Sequence, residues 1–287
     1  MMLVSYSIRV AERVLILGAE GMLGEAMVRT FEGKSRFETF GTQRRNRNKG
    51  DFFQAGYSDL DNLFNAFNPD IVINCLGVVK QSSHKDDIDR MSYINGSFPI
   101  ELAKKVLDKK SRLFHISSDC VFSGNVGGYK ESDIPDAVDA YGKSKLLGEE
   151  SSKFGAMVLR TSIIGREREG CSKGLLSWFL KFPESDIPGF KNAFFSGLTT
   201  LAFSDHILQL IIKNEYSEGI WHVSGDRISK FELLELLKAK FRPEARIVPQ
   251  PQPTLDRSLD DTLFRSRFGL IKPSWIEMIS ALSKEAF

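Results

Sequence analysis

Cysteine is scarce in this chain, which has three cysteines among its 287 residues. Cys75, Cys120 and Cys171 stand far apart, so none of them has the short spacing of a zinc site. This usage is typical of reduced thiols, because disulfide-stabilised domains are usually secreted and rich in cysteine. We therefore expect no metal site and a cytoplasmic location.

Long apolar runs and charge of one sign are also missing. No run reaches the roughly 18 apolar residues of a membrane helix, and Met1–Glu12 lacks a signal-peptide pattern. The 39 lysines and arginines are nearly balanced by 37 aspartates and glutamates. A nucleic-acid-binding chain would carry a clear basic excess. We therefore expect neither a membrane partner nor a nucleic-acid partner.

A strand, a glycine turn and a helix follow one another near the N-terminus. Arg13–Leu17 is an apolar run that predicts a buried strand, and an amphipathic helical pattern extends to about Phe31. The turn between them reads G-x-x-G-x-x-G, which can serve packing alone or hold a dinucleotide. Glycines let the backbone approach a pyrophosphate, which binds at a helix N-terminus. We predict that the cofactor is contacted by Gly18, Gly21, Met22, Leu23 and Gly24.

The second strand, predicted at Phe37–Thr42, bears on the choice of cofactor. An acidic residue at its end would accept a hydrogen bond from a ribose 2′-hydroxyl and indicate NAD. Here Gln43 is followed by Arg44 and Arg45, whose guanidinium groups suit a 2′-phosphate. We therefore favour NADP, with NAD as the alternative if the arginines belong to a solvated basic loop.

Strands and helices alternate through the first half of the chain. The pattern predicts strands at Asp51–Phe53, Asp70–Gly77, Leu113–Ile116 and Met157–Arg160, and helices at Asp59–Phe67 and Met91–Leu107. Such alternation predicts an α/β fold, a Rossmann-type doubly wound parallel sheet with helices on both faces. Ligands bind these sheets at the carboxyl ends of the strands, where Gly18, Gly77 and Ser118 all fall. We expect Cys75, Leu76, Gly77 and Ser117 to line the cofactor crevice.

The candidate catalytic residues lie at the end of one strand and the start of the next helical pattern. Ser118 ends the strand, and Tyr141 and Lys145 stand four positions apart, so they share a face of the predicted helix. A nearby ammonium favours a phenolate, so we expect the pKa of Tyr141 to fall from about 10 towards neutrality. Such a phenol can protonate a carbonyl oxygen to which Ser118 also donates. Taken alone, the Tyr-x-x-x-Lys pattern also fits an ordinary helix-surface pair.

The regular alternation of strands and helices changes after a strand end at Ile163–Gly165. The remaining sequence predicts helices at Leu175–Leu180, Leu198–Ile212, Ser229–Phe241, Ser258–Phe268 and Pro273–Leu282, a last strand at Gly219–Val223, and a turn or linker at Pro249–Pro253. We assign residues 12–165, completed by about 197–224, to an NADP-binding Rossmann domain. Residues 166–196 and 225–287 form a smaller C-terminal substrate-binding lobe. We expect the substrate between the two lobes.

Several of these motifs together resemble an extended short-chain dehydrogenase/reductase. The motifs are Gly18-x-x-Gly21-x-x-Gly24, Asn74–Gly77, Ile116–Phe122, Tyr141-x-x-x-Lys145, Leu159–Ser162 and Leu255–Asp260. Within that family the chain is most similar to the dTDP-4-dehydrorhamnose reductases and related sugar-nucleotide reductases. The resemblance extends from about Arg13 to Ile279.

The resemblance implies an NADPH-dependent reductase of a 4-keto-6-deoxy nucleotide sugar, in deoxysugar or surface polysaccharide biosynthesis. It implies that Tyr141 donates the proton and that Lys145 activates Tyr141 and contacts the ribose of the cofactor. Ser118 stands where this subgroup usually has threonine, and substrate contacts are expected from Ser118, Asp119 and Ile163. The oligomeric state is left open, a homodimer included.

The residue after Asp119 keeps two alternatives open. Related dehydratases have glutamate there, whereas this chain has Cys120, which disfavours dehydration. GDP-fucose synthases place a cysteine there and use it with a later histidine for epimerisation. None of the four histidines, His84, His115, His206 and His222, is obviously placed after the Ile163–Gly165 strand end to act as its partner. A buried cysteine with an apolar role is the simpler interpretation. The other alternative is a non-catalytic regulatory subunit on the same fold, as in a relative that partners methionine adenosyltransferase.

Overall fold

The computed structural model describes residues 11–43, 55, 59–79, 85–168 and 174–285. Its strands are β1 (Glu12–Leu17), β2 (Phe37–Gly41), β3 (Ile71–Asn74), β4 (Arg112–Ser118), β5 (Met157–Thr161), β6 (Ile163–Ile164), β7 (Asp186–Phe190), β8 (Ala193–Phe195), β9 (Leu198–Thr199), β10 (Gly219–His222), β11 (Ile228–Ser229), β12 (Arg246–Gln250) and β13 (Leu255–Asp256). Its helices are α1 (Met22–Phe31), α2 (Leu60–Phe67), α3 (Lys85–Ser92), α4 (Phe98–Asp108), α5 (Ala140–Gly148), α6 (Leu175–Lys181), α7 (Thr200–Ile212), α8 (Lys230–Phe241), α9 (Thr262–Phe268) and α10 (Trp275–Ser283).

The main sheet has six parallel strands in the order β10-β5-β4-β3-β1-β2. The strand order therefore reverses beside β1, where the chain leaves for β2 on one side and returns to β3 on the other. A ligand crevice opens at such a reversal, outside the carboxyl ends of the strands. The predicted doubly wound parallel sheet is confirmed.

The side chains of β1 alternate between two apolar cores. Val14 and Ile16 belong to one core, with Phe31 of α1 and Phe203 of α7. Leu15 and Leu17 belong to the other core, together with residues of α2 and α4. Because successive strand residues point to opposite faces, a sheet covered on both faces needs apolar residues at every position. Within the described ranges, no helix combines the length and the apolarity needed to cross a membrane.

The last third of the chain adds two small sheets that the sequence patterns missed. One has the order β11-β8-β13, and the other pairs β12 with β7 in parallel. The prediction of a turn or linker at Pro249–Pro253 is therefore wrong at its start, since Pro249 and Gln250 belong to β12. Proline has no N–H to donate, and a two-stranded sheet leaves each strand an edge on which it is tolerated.

Several predicted helix boundaries also differ from those in the structure. The helix expected at Met91–Leu107 begins at Lys85 and contains a π-helical turn at Tyr93–Ser97, so Asn95 lies in its middle. The helix expected from Leu198 begins at Thr200, because Leu198 and Thr199 pair with β6. The helix expected at Ser258–Phe268 begins only at Thr262, since the Ser258 hydroxyl and N–H are held by Asp256 at 2.6 and 3.0 Å. The strand expected at Asp51–Phe53 lies outside the described residues.

Candidate active site

The glycine turn after β1 is built for close backbone contact. Gly18 has a φ of +79°, which side-chain-bearing residues rarely adopt. A Cβ on Gly24 would lie 2.0 Å from the Gly18 carbonyl oxygen, so helix α1 packs directly on the turn. Gly21 caps α1 without a side chain, which leaves the first N–H groups of the helix to face an anion. The cradle therefore fits a dinucleotide pyrophosphate.

Thr42 holds this turn from the end of β2. Its hydroxyl accepts from the Gly18 N–H at 3.1 Å, and its carbonyl accepts from the Ala19 N–H at 3.2 Å. The sequence patterns gave Thr42 no role, although its place at the strand end was a usable signal. Arg44 and Arg45, which carry the preference for NADP, lie outside the described residues, so that preference stays a prediction.

The loop after β3 forms the wall of the crevice and is held by Asn95. The Asn95 side chain accepts from the Val78 N–H at 2.9 Å and donates to the Val78 carbonyl at 2.8 Å. A second donated bond, 3.1 Å long, reaches the Ser144 hydroxyl on α5. Burial raises the pKa of the Cys75 thiol to about 12, so this part of the wall is neutral. Asn95 thus ties the predicted Cys75–Gly77 wall to the helix that carries Tyr141.

Ser118 and Tyr141 meet at the carboxyl end of β4. The Ser118 hydroxyl hydrogen-bonds with the Tyr141 phenol, which favours the ionised form of the phenol. Ser118 also accepts from the Cys120 N–H at 3.1 Å and donates to the Asp119 carboxylate at 3.1 Å. A Cβ on Gly142 would lie 2.1 Å from the Cys120 carbonyl oxygen, so α5 packs on the turn that follows Ser118.

Lys145 extends this group to the cofactor wall. Its ammonium donates to the Ile116 carbonyl at 2.7 Å, and a Cβ on Gly77 would lie 3.9 Å from Nζ. Burial lowers the pKa of Lys145 to about 8, against an opposing effect of the Glu149 carboxylate. The structure therefore places Lys145 between the Ile116 carbonyl and the wall at Gly77, one helical turn along α5 from Tyr141.

The expected fall in the pKa of Tyr141 is wrong. Burial raises the pKa of this phenol, and the negative character of Cys120 and Asp119 raises it further. Desolvation disfavours the phenolate more strongly than the Ser118 hydrogen bond favours it. Tyr141 therefore holds its proton at neutral pH.

Ser117, predicted to contact the cofactor, directs its hydroxyl away from Ser118. It donates to the Glu149 carboxylate at 2.6 Å, because successive strand residues point to opposite faces. Glu149 also pairs with Arg160, whose guanidinium lies 3.2 Å from His222 Nε2. A contact between Ser117 and the cofactor would therefore have to come from the Ser117 backbone.

The side of the site around Asp119 is more highly charged than the sequence indicated. Burial raises the pKa of the Asp119 carboxyl, while Lys230 and Arg257 favour its ionised form. Burial also raises the pKa of the Cys120 thiol to about 12, and its sulfur accepts from Arg257 Nη1 at 3.3 Å. The sequence analysis missed Lys230 and Arg257, which lie more than a hundred residues from Asp119 in the chain.

Two further site predictions concern the substrate lobe and metals. Ile163 is half-buried in β6, where it pairs with Leu198. Its role in substrate binding stays a prediction. Among the described residues, no three histidine, cysteine or acidic side chains lie together as metal ligands.

The parallel sheet, the glycine turn and the Ser-Tyr-Lys group together define an extended short-chain dehydrogenase/reductase of the sugar-nucleotide reductase type. Residues 12–284 match the family model described as the RmlD substrate binding domain, and the chain belongs to this family. The resemblance that the sequence motifs indicated is thereby confirmed.

Two curated relatives align with about half of the chain. Methionine adenosyltransferase 2 subunit beta from Mus musculus is 34% identical over 165 residues, which are 55% of this chain and 49% of that protein. A dTDP-4-dehydrorhamnose reductase from Aggregatibacter actinomycetemcomitans is 30% identical over 159 residues, 52% of this chain and 51% of that protein. The chain therefore spans about half the length of these curated relatives.

Solved structures align over nearly the whole chain. The dTDP-4-dehydrorhamnose reductase from Bacillus anthracis, crystallised in complex with NADP, has a TM-score of 0.80 at 21% identity and covers 95% of this chain and 99% of its own. A hypothetical dTDP-4-dehydrorhamnose reductase from Sulfolobus tokodaii has a TM-score of 0.74 at 27% identity and covers 88% and 94%. At its low identity, the first of these matches establishes the fold alone.

Proposed function

We propose that this protein is an NADPH-dependent reductase of a 4-keto-6-deoxy nucleotide sugar, acting in deoxysugar or surface polysaccharide biosynthesis. The observation that carries the proposal is the meeting of Ser118 with Tyr141 at the end of β4, while Lys145, on the same helix as Tyr141, lies beside Gly77. The B. anthracis relative, crystallised with NADP, supports the choice of cofactor.

Each residue of this group has a distinct role in the proposed reaction. NADPH, when bound, would supply a hydride to C4 of the sugar. The Tyr141 phenol would give its proton to the carbonyl oxygen, so that a ketone becomes an alcohol. The raised pKa of Tyr141 keeps that proton available at neutral pH. Ser118 donates a hydrogen bond to the same oxygen, which favours the negative charge that develops there. Lys145 contacts the cofactor ribose and stabilises the phenolate left on Tyr141.

Replacement of the phenol tests this assignment. Tyr141→Phe removes the proton donor and retains the ring, so we expect NADPH oxidation to fall at least about a hundredfold while the affinity for NADPH persists. Purified protein is assayed with 4-keto sugars linked to dTDP, UDP and GDP, and cofactor affinity is measured separately by fluorescence. Tyr93→Phe is the matched control, because Tyr93 bonds to Glu101 on another helix. Full turnover by Tyr141→Phe would reject the proposal.

An additional epimerase activity of the GDP-fucose synthase type has weaker support. Its base would be a Cys120 thiolate, yet burial raises the pKa of that thiol to about 12. The buried histidines have other surroundings: His115 contacts Asn74, and His222 contacts the Tyr129 carbonyl. His84 lies outside the described residues. An epimerase would place solvent deuterium on a ring carbon beside the ketone, and Cys120→Ser would lose that label.

A regulatory subunit without turnover is the second candidate function. It is favoured by the 34% identity to the mouse methionine adenosyltransferase subunit over 165 residues. The presence of Ser118, Tyr141 and Lys145 favours the reductase instead, because a purely regulatory protein needs no proton donor. Wild-type protein that binds NADPH but oxidises it with none of the keto sugars would favour the regulatory role.

A further inference from the structure

A pair of cationic side chains from the last third of the chain reaches the substrate side of the active site. Lys230 is the first residue of α8, and Arg257 follows β13. Both act on the buried Asp119 carboxylate, so two positive charges converge on one negative charge. Lys230 also lies 3.5 Å from the centre of the Phe195 ring, which helps to fix its ammonium.

The guanidinium of Arg257 lacks an oxygen partner. Its one hydrogen bond to a described residue goes from Nη1 to the Cys120 sulfur at 3.3 Å, and a thiol is a weak acceptor. Its Nε is shielded from solvent and has no partner within the described ranges. Asp136 also attracts Arg257, but its two carboxylate oxygens are held by the N–H and the hydroxyl of Ser123 at 2.7 and 2.6 Å. A half-buried guanidinium whose shielded Nε has no partner gains from an incoming acceptor oxygen.

The position of Arg257 limits which oxygen of a substrate can reach its guanidinium. Its stem packs on Gly124, where an added Cβ would meet Arg257 Cγ at 3.0 Å. Its guanidinium touches Cys120, which neighbours Ser118 and acts electrostatically on Tyr141. A sugar with its C4 carbonyl at Tyr141 would therefore place a ring carbon next to C4 on the side of Arg257. The diphosphate is attached at C1, on the opposite side of the ring.

We propose that Arg257, supported by Lys230, binds an acceptor oxygen carried beside the keto carbon of the sugar, an oxygen that belongs to a hydroxyl or a carboxylate. This inference rests on the proposed reduction of a keto nucleotide sugar. It makes Arg257 a specificity-determining residue. The same two cations repel an amino substituent at that position, so the site selects oxygenated sugars over amino sugars.

The test compares Arg257→Ala and Arg257→Lys with wild type on 4-keto sugars that carry a hydroxyl, a hydrogen or a carboxylate beside the ketone. We expect Arg257→Ala to lower kcat/KM about tenfold or more on the oxygenated sugar and by a clearly smaller factor on the deoxy sugar. Arg257→Lys retains the charge without the planar fork, so it recovers part of the loss. The sugar with the larger loss, hydroxyl or carboxylate, identifies the source of the oxygen.

Calorimetry with the nucleoside diphosphate alone completes the test. Its affinity should be the same in wild type and Arg257→Ala, and an equal loss for the diphosphate and the whole substrate would overturn the proposal. Equal losses on the oxygenated and the deoxy sugar would overturn it too. Arg227→Ala is the control, because Arg227 pairs with Asp256 and stacks on Phe194 at the surface.

Failure of the proposed function can be distinguished from failure of this inference. It would appear as an absence of turnover in wild type with every keto sugar. Binding of the corresponding 4-hydroxy nucleotide sugar, compared with its nucleoside diphosphate, then still tests Arg257. Tighter binding of the 4-hydroxy nucleotide sugar by wild type than by Arg257→Ala supports the inference, and equal binding rejects it.

Discussion

The carboxylate of Glu149 receives two hydrogen bonds from the guanidinium of Arg160, at 2.9 and 2.7 Å, and each side chain is 2% exposed. The same carboxylate accepts from the Ser117 hydroxyl. This ion pair therefore joins the end of α5 to β4 and β5 directly beneath the catalytic strand end.

Removal of one partner should strongly destabilise the protein. Glu149→Gln leaves the Arg160 charge buried without a counter-charge, and we expect the free energy of unfolding to fall by about 3–5 kcal/mol. Urea denaturation measures the change. Glu150→Gln is the neighbouring control, because Glu150 pairs with Lys153 at the surface, where such pairs contribute about 1 kcal/mol or less. Equal effects of the two substitutions would contradict a structural role for the buried pair.

Lys145 should make stability rise with pH under alkaline conditions. Burial lowers its pKa from 10.5 to about 8 in the folded protein. Above that pH the folded state has released the proton while the unfolded state still holds it, so the unfolded state binds more protons and a higher pH favours folding. Urea denaturation between pH 8 and about pH 9.5, below the range where tyrosines ionise, should show this gain as a difference between wild type and Lys145→Met, because the raised pKa values of the Cys75 and Cys120 thiols act in the opposite direction in both proteins. The gain should be absent in Lys145→Met, and parallel curves for the two proteins would refute the prediction.

Asn95 should control the cofactor wall. Asn95→Ala leaves both the N–H and the carbonyl of Val78 without their side-chain partner, and we expect a loss of about 2 kcal/mol or more in unfolding free energy. We also expect a weaker affinity for NADPH, since the wall beside Gly77 loosens. Asn192→Ala is the control, because Asn192 makes a comparable bond to the Pro251 carbonyl at an exposed site. An Asn95→Ala variant that matches this control in stability and in affinity would show that the wall is held by other contacts.

The sequence predicted the parts of the fold that rest on local patterns. The run at Arg13–Leu17, the glycine turn and the capping serine at Ser229 each form the predicted element, because apolar periodicity and capping chemistry act over a few residues. The small sheets of the last third were missed, since strands such as Leu255–Asp256 are too short to carry a period of their own.

The site was predicted where its members are close in sequence and missed where they are distant. The Tyr141–Lys145 spacing is fixed by one helix, whereas Arg257 reaches Cys120 only through the tertiary fold. The sign of the Tyr141 pKa shift was predicted wrongly for a related reason. Spacing places an ammonium on the same helix face, but it does not reveal that burial raises the pKa of the phenol or that the ammonium donates to the Ile116 carbonyl.

Gly142 sets how closely the proton donor can approach the strand end. Its missing side chain lets α5 lie against the Cys120 carbonyl, within the space that a single methyl group would need. Alanine at this position would push the helix outwards and carry the phenol with it. The chemistry proposed for this protein therefore depends on one hydrogen atom standing where every other amino acid has a carbon.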